Sequence, residues 1–308
     1  MPGSGEGVGS GRMSWLWAVF TVAASGGQVL RNAMQKELTA TLGTVGATQV
    51  RFLFGLPFAL AVLAIVLATA PLPWPELNTM TIAWTVTGAI AQIGGTALLL
   101  AVMQQRSFVV TTAYVKTELV QVAVFGLIFL GDQVTPGLAL AILMATAGVL
   151  TISWPRSRSA EAFSWKAAGL GLASGALFAI AAIGFRGGIR ALDSPSFLVG
   201  ATTTLVLGLL MQVVVLSAYL LLADRATLVA IIRAWRPSLV AGFMGAFASQ
   251  MWFLAFALET AAKVRTLALV EILFAQMVSR NLFKQSLASR EAVGIALIIA
   301  GVVLLLNL

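Results

Sequence analysis

SFVVTTAYVKTELVQVAVFGLIFLGDQVTPGLALAILMATAGVL, Ser107 to Leu150, decides how this chain is read. It is apolar over the length of two membrane crossings, yet it carries Lys116 and Glu118 inside the first of them. Ionisable groups at that depth are costly, so they face a bundle interior or a wet cavity and mark function by default. The stretch has an echo from Thr260 to Val303. The offset that separates Glu118 from Glu271 also separates Gly148 from Gly301 and Gly55 from Gly208. The lysine has no echo, because Leu269 stands in its place.

Working outward, 308 residues with 59% apolar and only 10% charged content exceed what a soluble core requires, and the chain reads as an integral membrane protein. With no Cys and no His, the sequence offers no disulfide, thiolate, imidazole metal site or His relay, so neither metal nor cofactor is expected. It shows no phosphate-binding loop, no paired-carboxylate nuclease pattern and no Ser/His/Asp set, which argues against an enzyme. The net charge of +8 comes from basic residues placed singly at the ends of apolar runs, a membrane pattern and not a nucleic-acid surface.

Ten apolar runs are expected as spans: about Ser14–Leu30, Val45–Thr69, Met80–Met103, Phe108–Leu130, Thr135–Trp154, Ala167–Phe185, Ser194–Ala223, Ser238–Leu258, Thr266–Phe283 and Ala292–Leu306. Pro57 predicts a kink in the second, and Thr135 before Pro136 is a start signal for the fifth. Arg186, Gly187, Gly188 and Arg190 read as the end of the sixth. Residues 1–12 read as a disordered tail, 13–154 as a first five-helix repeat, 155–166 as a polar linker and 167–308 as a second repeat. An odd number of spans per repeat inverts the second half in the membrane, so the expected fold class is all-α, ten transmembrane helices in two inverted five-helix repeats. Most of the 19 Lys and Arg fall on one side, which the positive-inside rule makes cytoplasmic, leaving both termini outside the cytoplasm.

Two five-helix halves, Arg31 just past the first helix, Arg51 entering the second, a fourth helix ending Phe129-Leu130-Gly131-Asp132 and glycine-containing fifth and tenth helices resemble the EamA-type transporters of the drug/metabolite transporter superfamily. The likeness runs over nearly the whole chain from Ser14. Asp132 stands where that family usually carries Glu, and its second-half counterpart is Gln285. The resemblance implies a multi-pass protein of the inner membrane that exports or exchanges small organic metabolites through a central cavity between the halves.

Within that frame the candidate residues are Glu118 and Glu271 for coupling or architecture, and Lys116 for an anionic group of the cargo or for a partner helix. Thr111, Tyr114, Glu118 and Gln121 share one helix face and read as a polar stripe along a hydrated path. Arg51, Gln92 and Gln250 are candidates for cargo contact or helix packing, and Trp252 for stacking on an organic solute. Lys263 and Arg265 read as snorkelling anchors, with anion binding as the alternative. The other tryptophans, Trp15, Trp17, Trp74, Trp84, Trp154, Trp165 and Trp235, read as an interfacial belt. The expected site lies between the third and fourth spans and their counterparts, the eighth and ninth. The expectation is thus a gradient-driven carrier of an amino acid or similar zwitterionic or anionic solute, with protons as a candidate coupling ion and a monomer or homodimer as the working unit. An exchanger of organic anions or phosphorylated metabolites is the nearest alternative, and a non-transporting assembly factor the alternative of another class.

Overall fold

The computed structural model describes residues 15–69, 75–103, 114–153, 165–272, 274 and 289–308. These form the helices α1 (Leu16–Leu53), α2 (Leu56–Thr69), α3 (Thr79–Met103), α4 (Glu118–Leu130), α5 (Pro136–Ser153), α6 (Trp165–Ala191), α7 (Phe197–Ala223), α8 (Arg225–Arg233), α9 (Trp235–Leu258), α10 (Ala261–Leu267) and α11 (Ser289–Leu306). Among the described residues, six segments are long and apolar enough to cross a membrane: Leu38–Thr69, Thr79–Leu99, Trp165–Ala191, Phe197–Ala223, Trp235–Leu258 and Ser289–Leu306. The described residues are all-helical, and the apolar helices are those of a membrane protein.

Helix starts follow side-chain chemistry. Thr135 Oγ1 accepts from Leu138 N–H at 3.2 Å with Pro136 in the first turn, as the sequence predicts. Asn78, Ser196, Asp224 and Thr260 cap α3, α7, α8 and α10 in the same way. At the other end of α4, Gly131 adopts a left-handed conformation (φ 66°), and the Asp132 N–H returns to the Gly126 carbonyl at 3.0 Å. The kink expected from Pro57 is a full break at Phe54–Gly55, one turn ahead of the proline, which then sits near the start of α2.

Several boundaries depart from expectation. Where a polar gap was expected after Leu30, α1 continues as far as Leu53, turning only at Gly43 (φ 65°, ψ 179°), a backbone state open to glycine alone. α6 does not stop at Phe185 but runs on through Arg186 and Arg190, because its glycines there pack onto a neighbouring helix. α8 fills a stretch expected to be a connection, with its helical start fixed by Asp224. The ninth span begins at Ala261, ahead of Thr266, and the sequence positions expected to complete it, with Arg280, Lys284 and Gln285, lie outside the described residues.

The helices associate in pairs: α3 on α6, α1 on α9, and α5 on α11, with α4 against α6 and α10. Lipid offers no hydrophobic drive between helices, so close approach through small residues is what holds such pairs. A methyl group at Gly184 would lie 2.7 Å from Gly88 N and 2.9 Å from the Trp84 carbonyl oxygen, so α6 and α3 touch backbone to backbone. Gly148 and Gly294 meet in the same way between α5 and α11. Gly88 and Gly95 also give room to the rings of Phe185 and Phe178, which turns those two aromatics toward the middle of the molecule. Trp17 is buried and Trp84 is packed under Gly187, so these two belong to the interior and not to an interfacial belt; Trp15, Trp165 and Trp235 are exposed.

Candidate functional site

In the middle of the bundle is a cavity of about 250 Å³, room for roughly eight waters. The lining includes Gln28, Arg31, Gln35 and Arg51 from α1, and Gln92, Thr96 and Leu99 from α3. Phe178, Ala181, Ala182 and Phe185 come from α6, and Ser249, Trp252, Phe253 and Phe256 from α9. Val115, Lys116, Glu118, Arg265 and Glu271 complete it. The expected walls are therefore present, but the first and sixth spans contribute as much as the third and eighth.

The charged side chains arrive on interrupted helices. Turn conformation replaces helix at Lys116–Thr117, and Leu119 and Val120 N–H donate to the carbonyls three residues back, at 3.3 and 3.2 Å. The second segment is interrupted at Ala268–Leu269, where Leu269, Glu271 and Ile272 N–H also donate three residues back, at 3.2, 3.0 and 3.0 Å. Each glutamate thus follows a tightened turn, and the two segments face each other with partners exchanged. Lys116 Nζ donates to Glu271 Oε1, whose other oxygen accepts from Gln28 Nε2 at 2.8 Å. Gln28 Oε1 in turn accepts from the Trp252 indole N–H at 3.2 Å. Glu118 Oε1 lies 3.1 Å from Arg265 Nε, yet neither atom completes a hydrogen bond among the described residues. The guanidinium of Arg265 is carried instead on an aromatic platform, 4.9 Å from the Trp252 ring centroid and 5.7 Å from that of Phe256.

Arg51 and Arg31 both pack beside Gly245 of α9; a methyl group there would lie 3.0 Å from Arg51 Cγ and 3.9 Å from Arg31 Cδ. Arg51 Nε is buried with no hydrogen-bond partner among the described residues. Arg31, Arg51 and Arg265 lie within electrostatic reach of one another.

Other sequence candidates are placed elsewhere. Lys263 does not line the cavity; its ammonium sits 3.3 Å from Glu259 Oε2. Arg265, expected with it as an anchor, is instead a half-buried residue of the cavity wall. Tyr114 packs on Gly171 of α6 and Gln121 donates to Thr117 Oγ1 at 3.4 Å, so neither lines the cavity and the stripe expected with Glu118 is not a path to it; Thr111 lies outside the described residues. Gln250 turns away to donate to Thr202 Oγ1 at 2.9 Å, leaving its neighbour Ser249 at the wall. Gln92 lines the cavity while accepting from Gln212 Nε2 at 2.7 Å.

Two contacts follow one another along α6 at the cavity wall. Phe185 and Phe253 meet with ring centroids 4.8 Å apart. At the next residue, Arg186 Nη1 donates to both oxygens of Asp132, at 2.6 and 2.7 Å, and its Nε donates to the Glu259 carbonyl at 3.0 Å. Arg190 adds a bond to the Leu130 carbonyl at 3.1 Å. Asp132 and Arg186, both read from sequence as helix ends, are the two halves of a buried ion pair.

Sequence reasoning passed over Gln28, Gln35 and the aromatic wall. Gln28 did carry a signal, as the amide that follows Ser25-Gly26-Gly27 within an otherwise apolar run. Phe178 and Phe185 carried none, because phenylalanine in a membrane span is the commonest kind of core residue.

No family model matches the chain, and no curated protein sequence is significantly similar to it. Solved structures do match: one protein of known crystal structure superimposes with a TM-score of 0.69, covering 95% of this chain and 97% of that one at 13% identity. At that identity the likeness shows a shared fold.

Proposed function

We propose that this chain is a secondary transporter of the EamA type, in the drug/metabolite transporter superfamily. It carries a small organic solute with a negative group, an amino acid or similar zwitterionic or anionic metabolite, across the inner membrane by alternating access. The observation that carries this reading is the cavity itself: six charged side chains on interrupted segments converge on one polar space among apolar helices. Ten spans in two inverted repeats, 13–154 and 167–308, are part of the proposal. The packing supports it, since exchanging the halves turns the pair α3·α6 into α9·α1, and leaves the pairs α5·α11 and α4·α10 unchanged. Protons are the candidate coupling ion, with Glu118 as their carrier, because its bond to Arg265 is the less complete of the two ion pairs.

Reconstitution tests the proposal. Purified protein in liposomes preloaded with a mixed metabolite pool should accelerate counterflow of at least one labelled carboxylate over empty liposomes. Absence of any protein-dependent flux across a broad panel of amino acids, organic acids and phosphorylated metabolites would sink it and favour an assembly role.

A further inference from the structure

α8 joins two membrane-length helices, α7 and α9, which places it at one face of the bundle. Its inner side is packed: Ile231 is fully buried, and Thr227 stands against α1, where a methyl group at Gly46 would lie 2.8 Å from Thr227 Cγ2. Its outer side mixes two kinds of residue. Arg225, Val229, Ile232 and Arg233 recur there at helical spacing, and Trp235 and Arg236 continue the exposed row at the start of α9. The apolar members are bare, Val229 being 46% exposed, Ile232 60% and Trp235 50%.

The charge on this side has one sign. Asp224 is the single acid between Asp193 and Glu259, and it is occupied by the N–H and hydroxyl of Thr227. Arg225, Arg233 and Arg236 form no ion pair among the described residues. Arg225 Nε donates to the Leu221 carbonyl at 2.8 Å, and the Arg236 guanidinium lies 5.4 Å from the centroid of the Trp235 ring. Arginines alone would suit open water. Bare Val, Ile and Trp set among them suit the headgroup boundary of a bilayer, where apolar side chains enter the acyl edge and guanidinium forks meet phosphate.

We infer that α8 is an interfacial helix that binds the phosphate headgroups of anionic phospholipids through Arg225, Arg233 and Arg236. Val229, Ile232 and Trp235 enter the acyl boundary beside them. Because α8 is seated on α1 three residues past the turn at Gly43, lipid bound there also steadies residues 44–53, the segment that carries Arg51 to the cavity. The inference needs a membrane and no particular cargo.

The test is thermal stability of the purified full chain in a neutral detergent while phosphatidylglycerol is titrated into the micelles. A lipid that binds the folded state raises Tm in a saturable way. Phosphatidylcholine with the same chains should be weaker by about tenfold or more, and inorganic phosphate or glycerol 3-phosphate, which lack chains, should raise Tm little. Raised salt should weaken the phosphatidylglycerol effect. Arg225→Gln, Arg233→Gln and Arg236→Gln should each weaken it by about fivefold and the triple variant by about a hundredfold, the lysine variants by less, and Lys166→Gln, on an exposed lysine outside α8, not at all. The lipid-free Tm of these variants should match wild type, because the three arginines are exposed. Phosphatidylglycerol should also slow amide exchange across residues 44–53 in wild type and not in the triple variant.

Equal effects of the two lipids, an equal rise with phosphate alone, or an unchanged response in the triple Gln variant overturns the lipid site. So does self-association of the wild type that the triple variant abolishes in light scattering, which would make the row an interface between copies. Lipid binding without slowed exchange in residues 44–53 overturns the hold on α1.

Discussion

Glu271 accepts the ammonium of Lys116, a residue 155 positions earlier in the chain, while the glutamate nearest that lysine in sequence, Glu118, turns to Arg265. Each carboxylate is thereby bonded to the opposite segment, and the two interrupted helices are tied by a pair of crossed contacts. The ties are unequal. Glu271 is fully engaged by Lys116 and Gln28, whereas Glu118 meets Arg265 at a single misaligned contact.

The Lys116–Glu271 tie is half-buried. Removing one partner leaves a partly desolvated charge, so Lys116→Met should destabilise by about 1–2 kcal/mol, softened by Gln28. The double variant Lys116→Met/Glu271→Gln should recover most of that loss. Thermal unfolding of the four proteins closes the cycle, and strictly additive losses would show that the two side chains do not interact.

Glu118→Gln should act differently, on transport more than on folding. Its Tm should stay close to wild type, because the Arg265 guanidinium keeps its aromatic platform. If Glu118 carries the proton, a pH gradient should no longer drive uptake into liposomes while solute exchange persists. Gradient-driven uptake with an unchanged pH profile would end the coupling hypothesis.

At the α3–α6 crossing, Gly184→Ala should cost about 1–3 kcal/mol, because the methyl would meet backbone atoms of Gly88 and Trp84 that cannot rotate away. Gly169→Ala, on the same helix with nothing within 4 Å of the added carbon, should be neutral or slightly stabilising. Equal Tm for the two variants would refute the backbone contact.

Outside the membrane, the Asp224 carboxyl is held below its ordinary value first by the hydroxyl of Thr227 and then by backbone N–H groups of Thr227 and Ala226. A carboxyl lowered on folding stabilises fully above its unfolded pKa of 3.8, and that contribution is lost as pH falls through the folded value. The protection factor of the amides at the start of α8, relative to their intrinsic exchange rates, should therefore be highest at neutral pH and fall below about pH 4. In Asp224→Asn, protection should not change across that window, which amide exchange followed by mass spectrometry can read.

What the sequence made legible were the features governed by local chemistry. Thr135 before Pro136 favours a helix start through local capping, Pro57 disfavours an unbroken helix, and Glu118 with Glu271 is conspicuous because charge in an apolar run is costly. What it hid depends on tertiary partners. Arg186 reads as a helix end until Asp132 is placed beside it, and Arg265 reads as an anchor until Trp252 and Phe256 are seen beneath it. The stripe of Tyr114 and Gln121 has the right helical spacing, but the turn at Lys116–Thr117 breaks the register on which that spacing relies.

The pairing of α5 with α11 also sets an order of events during synthesis. α5 meets its principal neighbour through Gly148, opposite Gly294, yet that neighbour leaves the ribosome only after all of α6 to α10 has followed. Until then the glycine face of α5 is turned to lipid or to the insertion machinery. A chain cut before Ser289 should therefore be a ready target for quality-control proteolysis, although its charged cavity would be almost entirely encoded.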